Sequence, residues 1–338
     1  MPRAFCWLVL VCALCVIPSH AQSSASRIHK LEQLRWPEVD ALDRQRTMFI
    51  LPVGMLEEHG PHLPIASDSY GVTFEADRVS KRLSRELPKW QVVMMPPISY
   101  GETGANEIAN DLVHPGTYSI RHTTVRALVA DIGAQVAQNG FRWIFVLTGH
   151  ASPTHNVAVN DACDFVSETF GVNMLHVSGL FRADATIQSR AKAIAEKHFS
   201  AAAIAAFGLD VHAGVSETSV NLALRPELVH PGYKKLPSRA GRTFGELQAI
   251  ATKPGWEGYF SSPASATAAY GRDVEQWWVD GLSDVILRAV GGENLLKAPR
   301  GPAQLDPARQ DLFDKALENE RAFEAKLDAW LAARRRQP

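Results

Sequence analysis

The chain has 338 residues, of which 46% are hydrophobic and 21% charged, with a formal net charge of −1. This is ordinary globular composition, and a chain of this length builds its core without disulfides or a structural metal. The near-neutral balance gives no electrostatic footprint for nucleic acid or an anionic membrane, and Arg334-Arg335-Arg336 reads as a solvated tail.

At the start, Arg3 precedes an apolar stretch from Ala4 to Ile17, Pro18 breaks it, and Ser19-His20-Ala21 follows. The run is too short to span a bilayer as a helix. The order of charged, apolar and small residues predicts a secretory signal over 1–21, cleaved after Ala21, and hence an exported protein, periplasmic or secreted. The alternative is a membrane anchor. Val11 before Cys12 and Leu14 before Cys15 are too large for a lipoprotein signal. Three of the four cysteines lie in this segment, so the mature chain keeps only Cys163 and forms no internal disulfide. Cys163 falls in an apolar helical pattern and reads as a core residue.

Helical periodicity is expected to begin near Ile28. Thr47–Val53 reads as a buried strand, and a polar loop follows from Glu57 to Asp68. Val72, Ala76, Val79, Leu83 and Leu87 then recur at helical spacing. A second strand is predicted over Gln91–Ile98, and a helix over Ile120–Ala137 with Val125, Leu128, Val129, Ile132 and Val136 on one face. Trp143–Leu147 is a third strand, Asn156–Phe170 a helix, and Val172–Val177 a fourth strand. Thr218–Leu224 reads as helical, 228–263 as long Gly- and Pro-rich loops, and Tyr270–Val290 and Pro307–Ala333 as helices. The last carries Leu312, Ala316, Phe323, Leu327 and Leu331 on one stripe and is expected to pack on something.

Strands alternating with helices imply an α/β fold with a mostly parallel sheet covered on both faces. Ligands of such sheets sit at the carboxyl ends of the strands. The polar clusters at 57–68 and 149–156 each follow a strand end, so they share one rim. No internal repeat and no phosphate-cradling glycine loop is present.

Three clusters carry chemistry. The first is Glu57-Glu58-His59-Gly60-Pro61-His62, followed by Asp68. Carboxylates with imidazoles form a ligand set for zinc, manganese or iron. Glu57 and His59 point the same way if the stretch is extended, and a carboxylate such as Asp68 can bridge two cations. Taken singly, Asp68 also suits a helix N-cap, and Glu57 and His59 a surface loop. His62 reads as a support or structural residue. The second cluster is Thr148-Gly149-His150-Ala151-Ser152, where His150 is presented at the sheet rim and His155 ranks lower. The third is His212-Ala213-Gly214-Val215-Ser216-Glu217-Thr218-Ser219. Glu217 lies in the first turn of a helix, where it could equally serve the helix dipole.

Leu51-Pro52-Val53-Gly54 through Glu57-Glu58-His59-Gly60-Pro61-His62-Leu63-Pro64 and Asp68 resembles the signature of the creatininase (creatinine amidohydrolase) family. So do His114-Pro115-Gly116-Thr117, Gly149-His150 and His212-Ala213-Gly214 with Glu217-Thr218-Ser219, and weaker similarity runs through Ser262-Pro263-Ala264 to Tyr270-Gly271. The resemblance covers roughly residues 30 to 290. It implies a three-layer α/β/α sandwich over 22–300, with 301–338 an added C-terminal helical segment. It also implies two divalent metal ions, zinc first, with manganese or iron as alternatives. Glu57 and His150 would hold one ion, His59 the other, and Asp68 would bridge them. Where creatininase has a further Glu ligand this chain has Ser152, and Glu217 is the expected substitute. His212 matches the family's proton-transferring histidine.

The departures are Met55-Leu56 in place of the usual Ser before Glu-x-His, Thr148 in place of Asn, and Ala151-Ser152-Pro153 in place of Gly-Gly-Asn. They reshape the pocket rather than the ligand set. The expected activity is hydrolysis of a C–N amide bond in a small cyclic or formyl-type amide. The alternatives are trimming of short peptides and a non-catalytic periplasmic binding protein on the same fold. The partners implied are a small-molecule amide substrate, no nucleic acid and no membrane after signal cleavage. A homo-oligomer is left open.

Overall fold

The structure, a computed structural model, describes residues 27–104, 108–109, 114–301 and 310–335. The expected signal segment lies outside them. Five strands form one sheet in the order β1 (Ile28–Lys30), β3 (Gln91–Met94), β2 (Thr47–Val53), β4 (Trp143–Thr148), β5 (Asn173–His176), every pair parallel. β2 is buried along its whole length. Its side chains alternate between two cores. Phe49, Leu51 and Val53 meet α3 (His122–Gln138) and α4 (Pro153–Phe170) on one face. Met48 and Ile50 meet α2 (Ser67–Glu86) and α10 (Ala268–Val290) on the other. The result is the three-layer α/β/α sandwich.

The chain leaves β2 for β3 on one side and returns through β4 on the other. The crevice between the carboxyl ends of β2 and β4 is therefore a topological switch point, where ligands of open parallel sheets bind. Val53 and Thr148 are register partners at these two ends, so the loops starting at 54 and 149 are neighbours.

Several expectations need correction. Ile28–Lys30 is a strand and not the start of a helix; it pairs with Val92–Met94 at the sheet edge, and three residues are too few to show a period. Among the described residues, a 3-10 turn at Leu31–Gln33 and the short α1 (Trp36–Asp40), which carries Pro37 in its first turn, precede β2. The second strand stops at Met94 because Pro96 and Pro97 have no N–H for a ladder. Leu128 is 38% exposed and lies off the core stripe of α3. Three helices follow β5 where none was assigned: α5 (Val177–Ala183), α6 (Ala185–His198) and α7 (Ala201–Phe207). After α8 (Val215–Leu224), the stretch expected as loops contains α9 (Phe244–Ala251), capped by Thr243 Oγ1 on the Glu246 N–H and burying Leu247 and Ala251 beside Trp256 and Phe260. The C-terminal helix α11 (Gln310–Arg335) rests on α3, yet Phe323 and Trp330 are 57% and 53% exposed.

Candidate metal centre

In the peptide leaving β2, Gly54 N–H donates to the Ile98 carbonyl and Glu57 N–H to the Ile65 carbonyl, each at 2.8 Å. This closes 57–65 into a loop and returns the chain to α2, whose first turn carries Asp68. The loop is stapled from outside. Thr117 Oγ1 accepts the Glu58 N–H at 3.2 Å, and the neighbouring His114 Nε2 donates to the Trp256 carbonyl at 2.9 Å. Beyond β4, Gly149 passes so close to α2 that a Cβ there would collide with the Asp68 carbonyl and press on Val72. His150 is thereby set beside Asp68. The third element is α8. Asp210 Oδ2 accepts the Ser216 N–H at 2.8 Å, holding the start of that helix, and Glu217 projects from its first turn. Ala213 sits at φ +47°, an uncommon conformation for a residue with a Cβ, and its N–H donates to Glu217 Oε2 at 2.5 Å.

These elements bring together all five expected ligands. His150 Nδ1 lies 2.9 Å from Asp68 Oδ2 and 3.1 Å from Glu57 Oε2. His59 Nε2 lies 3.3 Å from Asp68 Oδ1 and 3.7 Å from Glu217 Oε2. The two oxygens of Asp68 thus face different imidazoles. Three ligand-sized groups result: Glu57, Asp68 and His150; His59, Asp68 and Glu217; and Glu57, His59 and His212.

The ring nitrogens say what belongs between them. His59 Nδ1 lies 2.9 Å from the Glu57 carbonyl, which can only accept, so Nδ1 carries the proton and Nε2 presents a lone pair. His150 Nε2 likewise faces the Glu102 carbonyl at 3.2 Å, leaving Nδ1 bare. Each bare nitrogen points at two carboxylate oxygens, so acceptors converge on acceptors inside a buried site. A cation resolves this, and a metal-bound histidine ordinarily donates its other N–H to a carbonyl in this way. Without a cation a proton must take its place. Burial alone would lower His150, but the Glu57 charge and the contacts to Asp68 outweigh it and push it up to about 10. The same opposition, with Asp68 the main charge, raises His59.

His212 stands at the edge of this cluster, its ring centroid 4.4 Å from that of His59. Nδ1 is 3.6 Å from Glu57 Oε1, and Nε2 faces Glu58 Oε1 at 3.8 Å with no hydrogen bond. Burial lowers His212 to about 4, so the ring is neutral. Glu58 was given no role from the sequence. One oxygen accepts the Gly60 N–H at 3.0 Å, the other has no partner, and burial with the Glu57 charge pushes the group up to about 7. Its position next to Glu57 in a buried loop was a signal that a solvated-loop reading discards.

The remaining candidates are supports. His62 Nε2 bonds Thr218 Oγ1 at 2.8 Å, and His155 Nδ1 accepts the Glu102 N–H at 3.3 Å. Neither joins a ligand group. Ser152 precedes α4 and bonds Thr103 and Thr154, while Glu217 occupies the cluster. Thr148 Oγ1 meets Asn156, His176 and Arg182, and Asn156 Nδ2 donates to the His150 carbonyl at 3.1 Å. Asn156 thus steadies the loop after β4 from the following helix.

Glu57, Asp68, His150, His212 and Glu217 line a cavity of about 480 Å³. That is the size of an ordinary small-ligand pocket.

Residues 32–286 match the family model of creatininase, creatinine amidohydrolase. The mycofactocin precursor peptide peptidase of Mycobacterium ulcerans (strain Agy99) is 29% identical over 257 residues, 72% of this chain and 86% of that one. The creatinine amidohydrolase of Pseudomonas putida is 26% identical over 265 residues, covering 75% and 94%. A crystal structure of creatinine amidohydrolase superposes with a TM-score of 0.59 at 24% identity, over 80% of this chain and 100% of the other. Solved creatininases of the same fold include a zinc–zinc form and a manganese form.

Proposed function

Because the chain belongs to the creatininase family, whose members are metal-dependent hydrolases of carbon–nitrogen amide bonds, we propose that its own site hydrolyses an amide with two divalent cations held around Asp68. The observation that carries this reading is the pair of bare imidazole nitrogens, each pinned by a carbonyl on its far side and each aimed at two carboxylates. Glu57, Asp68 and His150 would hold one cation, and His59, Asp68 and Glu217 the other. Zinc is the first choice and manganese the second, by analogy with the solved relatives. Bound there, the ions would polarise an amide carbonyl and lower the pKa of water.

The chain's own residues supply the rest. The Glu57 and Glu102 carbonyls fix the His59 and His150 rings. Neutral His212 offers Nε2 as the proton carrier towards the leaving nitrogen, and Glu58 Oε1 faces that atom and steers it. Glu217 does what a carboxylate at position 152 would otherwise do.

For the substrate, the cavity has room for a linear amide or short peptide, while a small cyclic or formyl-type amide would fill only its metal end. The peptidase among the relatives favours the former, and the creatinine amidohydrolase the latter. Turnover of metal-loaded protein on creatinine, hydantoin, N-formyl compounds and di- and tripeptides tests the reading. Metal uptake without hydrolysis of any of them would leave a binding protein in its place.

Export belongs to the same proposal. Protein recovered from its host is expected to begin at Gln22, and N-terminal sequencing that finds Met1 intact would exclude signal cleavage.

A further inference from the structure

The cavity continues past the metal cluster along α2. Asp68 and Glu75 are seven residues apart on one face of that helix, about 10 Å at 1.5 Å per residue. Gly71 lines the passage between them, and a Cβ there would meet nothing within 4 Å. At the far end, Glu75 from α2 and Glu275 from α10 both line the cavity, each 5% exposed. One oxygen of each, Oε2, has no hydrogen-bond partner. Arg182 lines the same cavity, its charge acts on Glu75 and its guanidinium lies over the Trp278 ring at 5.3 Å, but its Nη atoms are engaged by Thr148 and Asn156 and form no ion pair with either carboxyl group. Burial pushes Glu75 up to about 7, and burial with the Glu75 charge raises Glu275 well above its ordinary range.

Among the described residues no donor reaches either Oε2, so the pair can receive a donor from outside, whose positive charge would also favour the ionised carboxylates. A metal ion is a poor fit, since among the described residues no third carboxylate, imidazole or thiol joins the pair. An ammonium group needs only acceptors for its three N–H bonds. Trp277 and Trp278 add aromatic wall to the same cavity, favourable to a cation and to the methylenes that carry it.

Resting on the amide-hydrolase reading, we propose that this end of the cavity is a second substrate subsite, where Glu75 and Glu275 take a primary ammonium group carried about 10 Å from the amide that is cleaved. The substrate class is then an amide with a basic, chain-like arm, and Gly71 leaves the passage open for it.

Hydroxamates, which chelate metal, report both ends at once. Metal-loaded protein should bind 6-aminohexanohydroxamate about tenfold or more tightly than hexanohydroxamate. The double variant Glu75→Gln/Glu275→Gln should bring the two affinities together. Gly71→Leu, which fills open space and raises helix propensity, should weaken both six-carbon compounds relative to acetohydroxamate. Equal affinities in the unaltered protein, a preference that survives the double variant, or six-carbon compounds indifferent to Gly71→Leu would each overturn the subsite. The metal centre would stand in all three cases, because the hydroxamates would still bind. Failure of every hydroxamate to bind would overturn the metal centre and the subsite with it.

Discussion

Asp68 is the residue on which the site turns, because its two oxygens face the bare nitrogens of two different histidines. Asp68→Ala should therefore lose both metals. Glu217 touches only the His59 side and is the more exposed of the carboxylates, so Glu217→Ala should lose about one metal of two. Elemental analysis of reconstituted protein checks both, and full occupancy in Glu217→Ala would end its role as the substitute for a carboxylate at Ser152. His212 is a different case. It lies within ligand distance of Glu57 and His59, so geometry alone permits coordination. Its Nε2, however, points away towards Glu58 and is unpartnered. His212→Ala is expected to keep its metals and lose roughly 10²–10⁴-fold in turnover, the usual worth of a proton-transferring group. Metal lost in step with activity would make His212 a ligand instead.

At the scale of elements, the site depends on how closely the turn after β4 approaches α2. Gly149 has no room for a Cβ against the Asp68 backbone. Gly149→Ala should push the turn off the helix, at a cost of about 1–3 kcal/mol, and separate His150 from Asp68. Metal affinity should fall with stability, and a variant that unfolds and binds metal normally would contradict this. That Glu57, His59 and His150 share one rim was legible in the sequence because Glu-x-His and Gly-His each follow a run of buried β-residues, and a parallel sheet brings such ends together, while the ligand roles themselves rested on the family resemblance. Less was legible where no single period dominates. α5 to α7 went unread. α9 was announced by Thr243 and Glu246 at capping-box spacing, within a stretch whose glycines and prolines suggested loop. Ile28–Lys30 is a strand only because Val92–Met94 lies beside it, which local sequence does not contain. Glu75 and Glu275 could not be paired in advance, since only the packing of α2 against α10 brings two distant helical positions into one cavity.

At the scale of the whole molecule, the C-terminal helix stands apart from the sandwich. The family match ends at residue 286, before α11 begins. α11 touches the body at α3. There Glu320 is buried and accepts from the Thr123 backbone N–H, Glu324 pairs with Arg121 at 2.6 Å, and Arg121 covers the Phe323 ring at 5.1 Å. The cores on the two faces of the sheet include none of the described side chains of α11. The Arg121–Glu324 pair is half-exposed and contributes little in water. The Thr123 bond is worth about 1 kcal/mol. Removing residues 302–338 should therefore lower stability by only about 1–3 kcal/mol, a few degrees in a domain of this size. Metal content should not change, because α3 covers one face of the sheet while Asp68 and Glu217 stand on α2 and α8, across it or beyond its rim. Thermal denaturation and elemental analysis of the truncated protein test this together. Loss of metal or failure to fold would make α11 part of the sandwich rather than an addition to it.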